Sequence, residues 1–189
     1  MPFPVHDDID RILLDEARII SGIDSIAAEL TELYRNVDLT VVAVLKGSCV
    51  FVADLIRRIP VPLQLAFACA ESYRQGTEPG TLDLRLLPHG EEVAGQYVLL
   101  VDDILDSGRT MEAIQKELFD RGALDVKTCA FLDKPVRRQV DIRADFRCFE
   151  IEDVFAVGYG LDFAGKYRNL PYVGALRPEV FNASLSGGA

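Results

Sequence analysis

Residues Val98–Met111 read VLLVDDILDSGRTM, and the order of textures in this stretch decides the fold. A short apolar run ends in two carboxylates, Asp102 and Asp103. A third, Asp106, follows, and then Ser107, Gly108, Arg109 and Thr110 open a segment whose Met111, Ile114 and Leu118 recur at helical spacing. A strand that is apolar at every position is buried on both faces, as in parallel sheets covered by helices. The same texture occurs upstream, where Thr40–Leu45 (TVVAVL) leads through Lys46-Gly47-Ser48 into apolar Val50–Ile59, halted by Pro60. Leu63–Ala68, Tyr97–Val101, Val126–Leu132 and Val154–Val157 read as further strands. The prediction is an α/β domain with a mainly parallel central sheet flanked by helices. In such sheets ligands sit beyond the carboxyl ends of the strands, which singles out loops 46–48, 102–110 and the segment after 157.

Outside these segments the reading is coarser. Residues 8–34 carry apolar positions at three- and four-residue spacing and predict two helices broken at Gly22. A helix from about Thr110 to Arg121 is expected to stop at Gly122. Residues 70–95, rich in Gly and Pro, read as a mobile hairpin or flap rather than core, and 184–189 as a frayed tail.

The 189 residues predict one domain with one sizeable core. Twenty basic against thirty acidic side chains give a formal charge of −10, which opposes a partner held mainly through nucleic-acid phosphates. No apolar run approaches the roughly 20 residues a membrane helix needs, and no secretory signal is visible. Cys49, Cys69, Cys129 and Cys148 form no CxxC pair and read as free, largely buried thiols in a reducing compartment, most simply the cytoplasm. His6 and His89 lie far from each other and from every Cys, so no zinc site assembles locally.

Small residues at a helix N-terminus offer backbone N–H groups to an anion, and the helix dipole assists. Three carboxylates beside such a cradle would repel a phosphate unless they face something else on the same ligand: a diol, a metal ion or a proton to be removed. Simpler readings compete. Asp106-Ser107-Gly108 could be only a helix cap, and Asp102-Asp103 only a solvated strand end. A receiver domain opening on Asp-Asp is disfavoured, because the strand follows a long α/β segment instead of starting one. Gly160–Tyr167 (GLDFAGKY) approaches a Walker A loop, but Tyr167 replaces the Ser or Thr that should bind magnesium.

VLLVDDILDSGRT resembles the phosphoribosyl-diphosphate-binding motif of purine phosphoribosyltransferases of the hypoxanthine-guanine type. Leu45-Lys46-Gly47-Ser48, Ser72-Tyr73, Leu132-Asp133-Lys134-Pro135 and Val157-Gly158-Tyr159-Gly160-Leu161-Asp162 occur in the family's order, so the likeness spans about residues 8–177. It implies transfer of a 5-phosphoribosyl group from 5-phosphoribosyl 1-diphosphate to a ring nitrogen of hypoxanthine or guanine, with Mg2+ on the donor. The runner-up is a catalytically weak relative that uses its nucleotide site for sensing or RNA binding; the charge of −10 opposes it.

By the same resemblance, Asp102 and Asp103 hold the ribose hydroxyls and the metal, and Asp106 takes the purine proton. Residues 106–110, including Ser107, Gly108, Arg109 and Thr110, cradle the 5-phosphate, with Arg109 at a variable position. Lys46-Gly47 wraps the diphosphate, and the family can carry a cis peptide there. Arg168 contacts the diphosphate. Lys134 reads the 6-oxo group, Phe155 stacks on the purine, and backbone near Ala156 and Asp162 meets position 2. Asp162 is also a candidate second metal ligand. Ser72 and Tyr73 begin the closing flap. Arg137 and Arg138 read as a solvated or interface pair. The family's members are dimers or tetramers, so one of those is expected.

Overall fold

The computed structural model describes residues 4–72 and 82–186. In chain order the elements are β1 (Ile9–Leu14), α1 (Glu16–Tyr34), β2 (Leu39–Leu45), α2 (Cys49–Ile56), β3 (Leu63–Ser72), β4 (Leu82–Leu86) and α3 (Gly90–Val93). There follow β5 (Tyr97–Leu105), α4 (Arg109–Asp120), β6 (Asp125–Asp133), β7 (Phe146–Glu150), β8 (Ala156–Val157), β9 (Val173–Leu176) and α5 (Pro178–Ser186). Six strands form the main sheet in the order β4-β3-β2-β5-β6-β7. Every pairing in it is parallel except β3 with β4. A smaller antiparallel sheet, β1-β9-β8, forms a hood.

The strands with the longest buried apolar runs are the central ones. In β2, Leu39, Val41 and Ala43 pack with α1 and α2, while Val42 and Val44 pack on the opposite side with Met111, Ile114 and Leu118 of α4. In β5, Leu99 and Val101 join the first cluster, and Val98 and Leu100 the second. Alternation of side chains along a strand therefore serves two cores at once. Ile9, Val157, Leu170, Tyr172 and Leu176 make a third cluster inside the hood. Among the described residues no helix is long and apolar enough to cross a membrane.

Several expectations are corrected. Ile9–Leu14 is a strand, paired with β9 through Ile9↔Leu176 and Ile12↔Gly174. The helix begins only after Asp15, whose side chain accepts from the Arg18 N–H at 2.8 Å and so caps it. Gly22 does not break α1: a Cβ there would fall 2.3 Å from the Phe149 ring, so this glycine admits the aromatic of β7. Strand β5 continues through Asp102 and Asp103 to Leu105, still paired with β6 (Asp102↔Ala130, Ile104↔Leu132). The acidic pair thus stands on rigid strand rather than in a loop.

The proposed flap segment is partly core, because Val93 is fully buried in the second cluster. Residues 73–81, which include Tyr73, lie outside the described residues. Ser184–Ser186 close α5 rather than fray. Of the four free cysteines only Cys129 is buried; Cys69 and Cys148 are half-buried and Cys49 is exposed.

Candidate active site

The carboxyl ends of β2 and β5 and the start of α4 surround a cavity of about 320 Å3. Asp102, Asp103, Asp106, Ser107, Gly108 and Thr110 line it on one side, and Lys46, Gly47, Asp162 and Arg168 on the other. A second cavity of about 220 Å3 adjoins it, lined by Lys134, Phe155, Ala156, Leu161 and Asp162. Asp103 and Asp106 line both. Arg109 is exposed and outside both linings, so only its backbone belongs to the cradle, where its N–H meets Ser107 Oγ at 3.4 Å.

The cradle follows from local geometry. Gly108 has φ +85°, and a Cβ there would fall 2.5 Å from Ile142 Cγ2. Only glycine turns the chain so tightly into α4 and leaves the first-turn N–H groups facing the cavity. The facing loop carries a cis peptide, Leu45–Lys46, one residue earlier than the Lys46-Gly47 pair suggested. Gly47 lies where a Cβ would fall 1.6 Å from Asp103 Oδ2, so the bare backbone lets the acid reach across.

The two acids differ in setting from ordinary surface carboxylates. Asp102 is 7% exposed. Burial, reinforced by the Asp103 charge, holds its carboxyl well above the usual range. Burial also raises Asp103, against opposition from its neighbours' hydrogen bonds and the Arg168 charge. Among the described residues no three His, Cys, Asp or Glu side chains form a metal cage. Two adjacent, desolvated carboxylates opening on a cavity fit Mg2+, which takes only one or two protein carboxylates and fills its octahedron with ligand oxygens and water.

Asp106 Oδ1 is buried and has no hydrogen-bond partner among the described residues. A carboxylate oxygen left this way is held in reserve for something that enters the site. Lys134 is 4% exposed, its Nζ donating to the Val154 carbonyl at 2.8 Å and lying 3.5 Å from Asp153 Oδ1. Phe155 is 40% exposed, and outside its cavity face it meets Phe163 edge-on and stacks on Phe181. Arg168 pairs with Asp162 at 2.6 Å and donates to the Gly160 carbonyl at 2.6 Å. Ser72 ends β3, where Ser72↔Leu82 pairing joins it to β4.

Residues 11–164 match the model of the phosphoribosyl transferase domain. The chain belongs to the phosphoribosyltransferase family. It is 39% identical over 179 residues to the hypoxanthine-guanine phosphoribosyltransferase of Staphylococcus aureus, covering 94% of this chain and 99% of that one. It is 39% identical over 178 residues to the bifunctional protein TilS/HprT of Listeria monocytogenes, where it spans 28% of that protein's length and 94% of its own. The structure of the Trypanosoma cruzi hypoxanthine phosphoribosyltransferase in complex with the product IMP is similar at a TM-score of 0.86. That pair is 33% identical, with 94% of this chain and 100% of that chain covered.

A first prediction concerns the phosphoribosyltransferase acid pair. A carboxyl raised by burial binds its proton more tightly folded than unfolded. Stability is therefore lost as pH rises through its unfolded and then its folded value, and regained on acidification. At neutral pH, Asp102→Asn removes that penalty. The ligand-free variant is expected to melt higher by a few degrees, at about 2–4 °C per kcal/mol for a chain of this size. Calorimetric binding of magnesium-loaded donor should weaken in the same variant. A lower melting point with unchanged donor affinity would refute the assignment.

Proposed function

We propose that the chain is a purine-salvage hypoxanthine-guanine phosphoribosyltransferase. It moves the 5-phosphoribosyl group of 5-phosphoribosyl 1-diphosphate to a 6-oxopurine, giving IMP or GMP and diphosphate. The observation that carries this reading is the position of Asp106 on both cavities, between a phosphate-type cradle and a lysine–aromatic pocket. The relatives' names supply the substrate class.

In this reading the donor's 5-phosphate lies against residues 106–110, and its diphosphate lies between Lys46-Gly47 and Arg168. Asp102 and Asp103 hold the ribose hydroxyls and, through them or water, Mg2+; Asp162 holds a second ion. When bound, the metal supplies positive charge to the departing diphosphate. The purine ring nitrogen bonds to the anomeric carbon as the bond from that carbon to the diphosphate oxygen breaks. The ring N–H proton passes to Asp106.

Lys134 offers donors only, so it accepts a 6-oxo group and opposes a 6-amino group. A diphosphate-release assay with four bases tests the reading. Hypoxanthine and guanine should turn over, and xanthine should be poor, because carbonyls near Ala156 and Asp162 face its 2-oxo group. Adenine should fall about tenfold to several hundredfold in kcat/KM, the result of a buried donor facing a donor at ~1–3 kcal/mol. Efficient use of adenine would overturn the purine-site assignment; efficient use of xanthine would overturn only the position-2 reading.

A further inference from the structure

Arg138 lies in the turn after Lys134 and is largely buried, with 16% of its side chain exposed, contrary to the solvated role its sequence suggests. Every nitrogen of its guanidinium is engaged. Nε donates to the Asp106 carbonyl at 3.0 Å, and Nη2 donates to the Leu105 carbonyl at 3.2 Å. Nη1 donates to the Ile142 carbonyl at 2.7 Å. Nη2 also meets Asp133 Oδ1 at 2.5 Å, while Asp133 Oδ2 takes Arg147 Nη1 at 3.1 Å.

The carbonyls of Leu105 and Asp106 belong to the two peptide units on either side of the Asp106 Cα. One guanidinium thus holds both, which fixes the backbone that aims the Asp106 carboxylate. The Leu105 carbonyl accepts in addition from the Lys134 N–H at 3.0 Å. Behind the same loop, the Gln139 N–H donates to the Ser107 carbonyl at 2.9 Å, and Gly108 leaves no room for a Cβ beside Ile142 and Arg138. Asp133 offsets the buried charge, and a planar fork of donors spans two carbonyls as an ammonium cannot.

We propose that Arg138 is a positioning residue for the transfer. It sets the separation between Asp106, which takes the purine proton, and Lys134, which reads the 6-oxo group; this rests on the roles given to those two residues above. Displacement of a reacting group by about 1 Å lowers turnover by up to ~100-fold, so the effect should appear in kcat. The donor's 5-phosphate, held by the first turn of α4, should be bound almost normally.

Two variants decide it. Arg138→Lys keeps a charge opposite Asp133 but loses the fork. Asp133→Asn keeps the fork on both carbonyls but loses the ion pair. Arg138→Lys should melt within a few degrees of the unmodified protein and bind magnesium-loaded donor at full stoichiometry, with donor KM changed by less than about threefold. Its kcat with hypoxanthine should fall about 10- to 100-fold. Asp133→Asn should melt lower than Arg138→Lys yet retain more turnover. Unchanged kcat in Arg138→Lys, or turnover losses that follow the melting order of the two variants, would overturn the proposal. Absence of diphosphate release by the unmodified protein with hypoxanthine would overturn the functional reading, and this one with it, before any variant is made.

Discussion

Asp106→Asn should lower kcat with hypoxanthine by about 10²–10⁴-fold, the usual range for loss of a general base. The lower end is expected, because the ring protons of a 6-oxopurine are already fairly acidic. Asparagine fills the same volume, and its oxygen can occupy the buried position of Oδ1, which has no partner to lose among the described residues. The fold should therefore survive. Donor affinity should change little, since the proposed function gives the phosphate to the N–H groups of the following residues and not to this side chain. Steady-state kinetics in both substrates separates these outcomes. Unchanged turnover would remove the base assignment, and a lost donor affinity with normal kcat would make Asp106 a binding residue instead.

Gly160→Ala should produce a large loss of stability. The residue has φ +101°, and a Cβ there would fall 2.1 Å from the Gly47 carbonyl oxygen. The obstacle is backbone, so no rotamer change relieves it, and the conformation itself resists a side chain. The expected destabilisation is about 3–5 kcal/mol, a fall in Tm of roughly 6–20 °C. Whatever relief occurs must push the Lys46-Gly47 loop, so donor affinity should fall in the fraction that remains folded. A Tm within 2 °C of the unmodified protein, on the same ~2–4 °C per kcal/mol scale, would mean that the two segments do not interlock as described.

Burial explains which parts of this molecule were legible from sequence. Strands β2, β5 and β6 lie between helices, so their central stretches are apolar on both faces, and Val41–Leu45, Val98–Val101 and Cys129–Leu132 read as hydrophobic runs. The edge strand β7, FRCFE, is half-exposed and mixed, and it went unread. The hood strands β1 and β9 are defined by each other across most of the chain, and no local pattern reports such a pairing. Local spacing around Ile9, Ile12 and Leu13 favoured a helix, and a distant partner overrode it.

The site divides in the same way. Lys46, Gly47, the three acids, Lys134, Phe155, Ala156, Asp162 and Arg168 all border the paired cavities, in or beside the carboxyl ends of the strands and the start of α4. Arg109 was drawn in by its neighbours, but it is exposed and lines neither cavity. Arg138 was passed over because nothing in KPVRRQ distinguishes a buried arginine from an exposed one. Its partners are carbonyls about thirty residues earlier, and carbonyls carry no signature in a sequence.

The hood takes one strand from near the start of the chain and two from near its end. On a ribosome, β1 emerges early and must wait for almost the whole remaining chain before β9 exists to receive it. At 5–20 residues per second that wait lasts roughly 10–30 s. During it, the six-stranded sheet can assemble in order of synthesis, while Ile9 and Leu14 remain without their partners. The wall that carries Phe155 and Ala156 is therefore completed last, and the nascent chain has the cradle at the start of α4 before it has the second cavity.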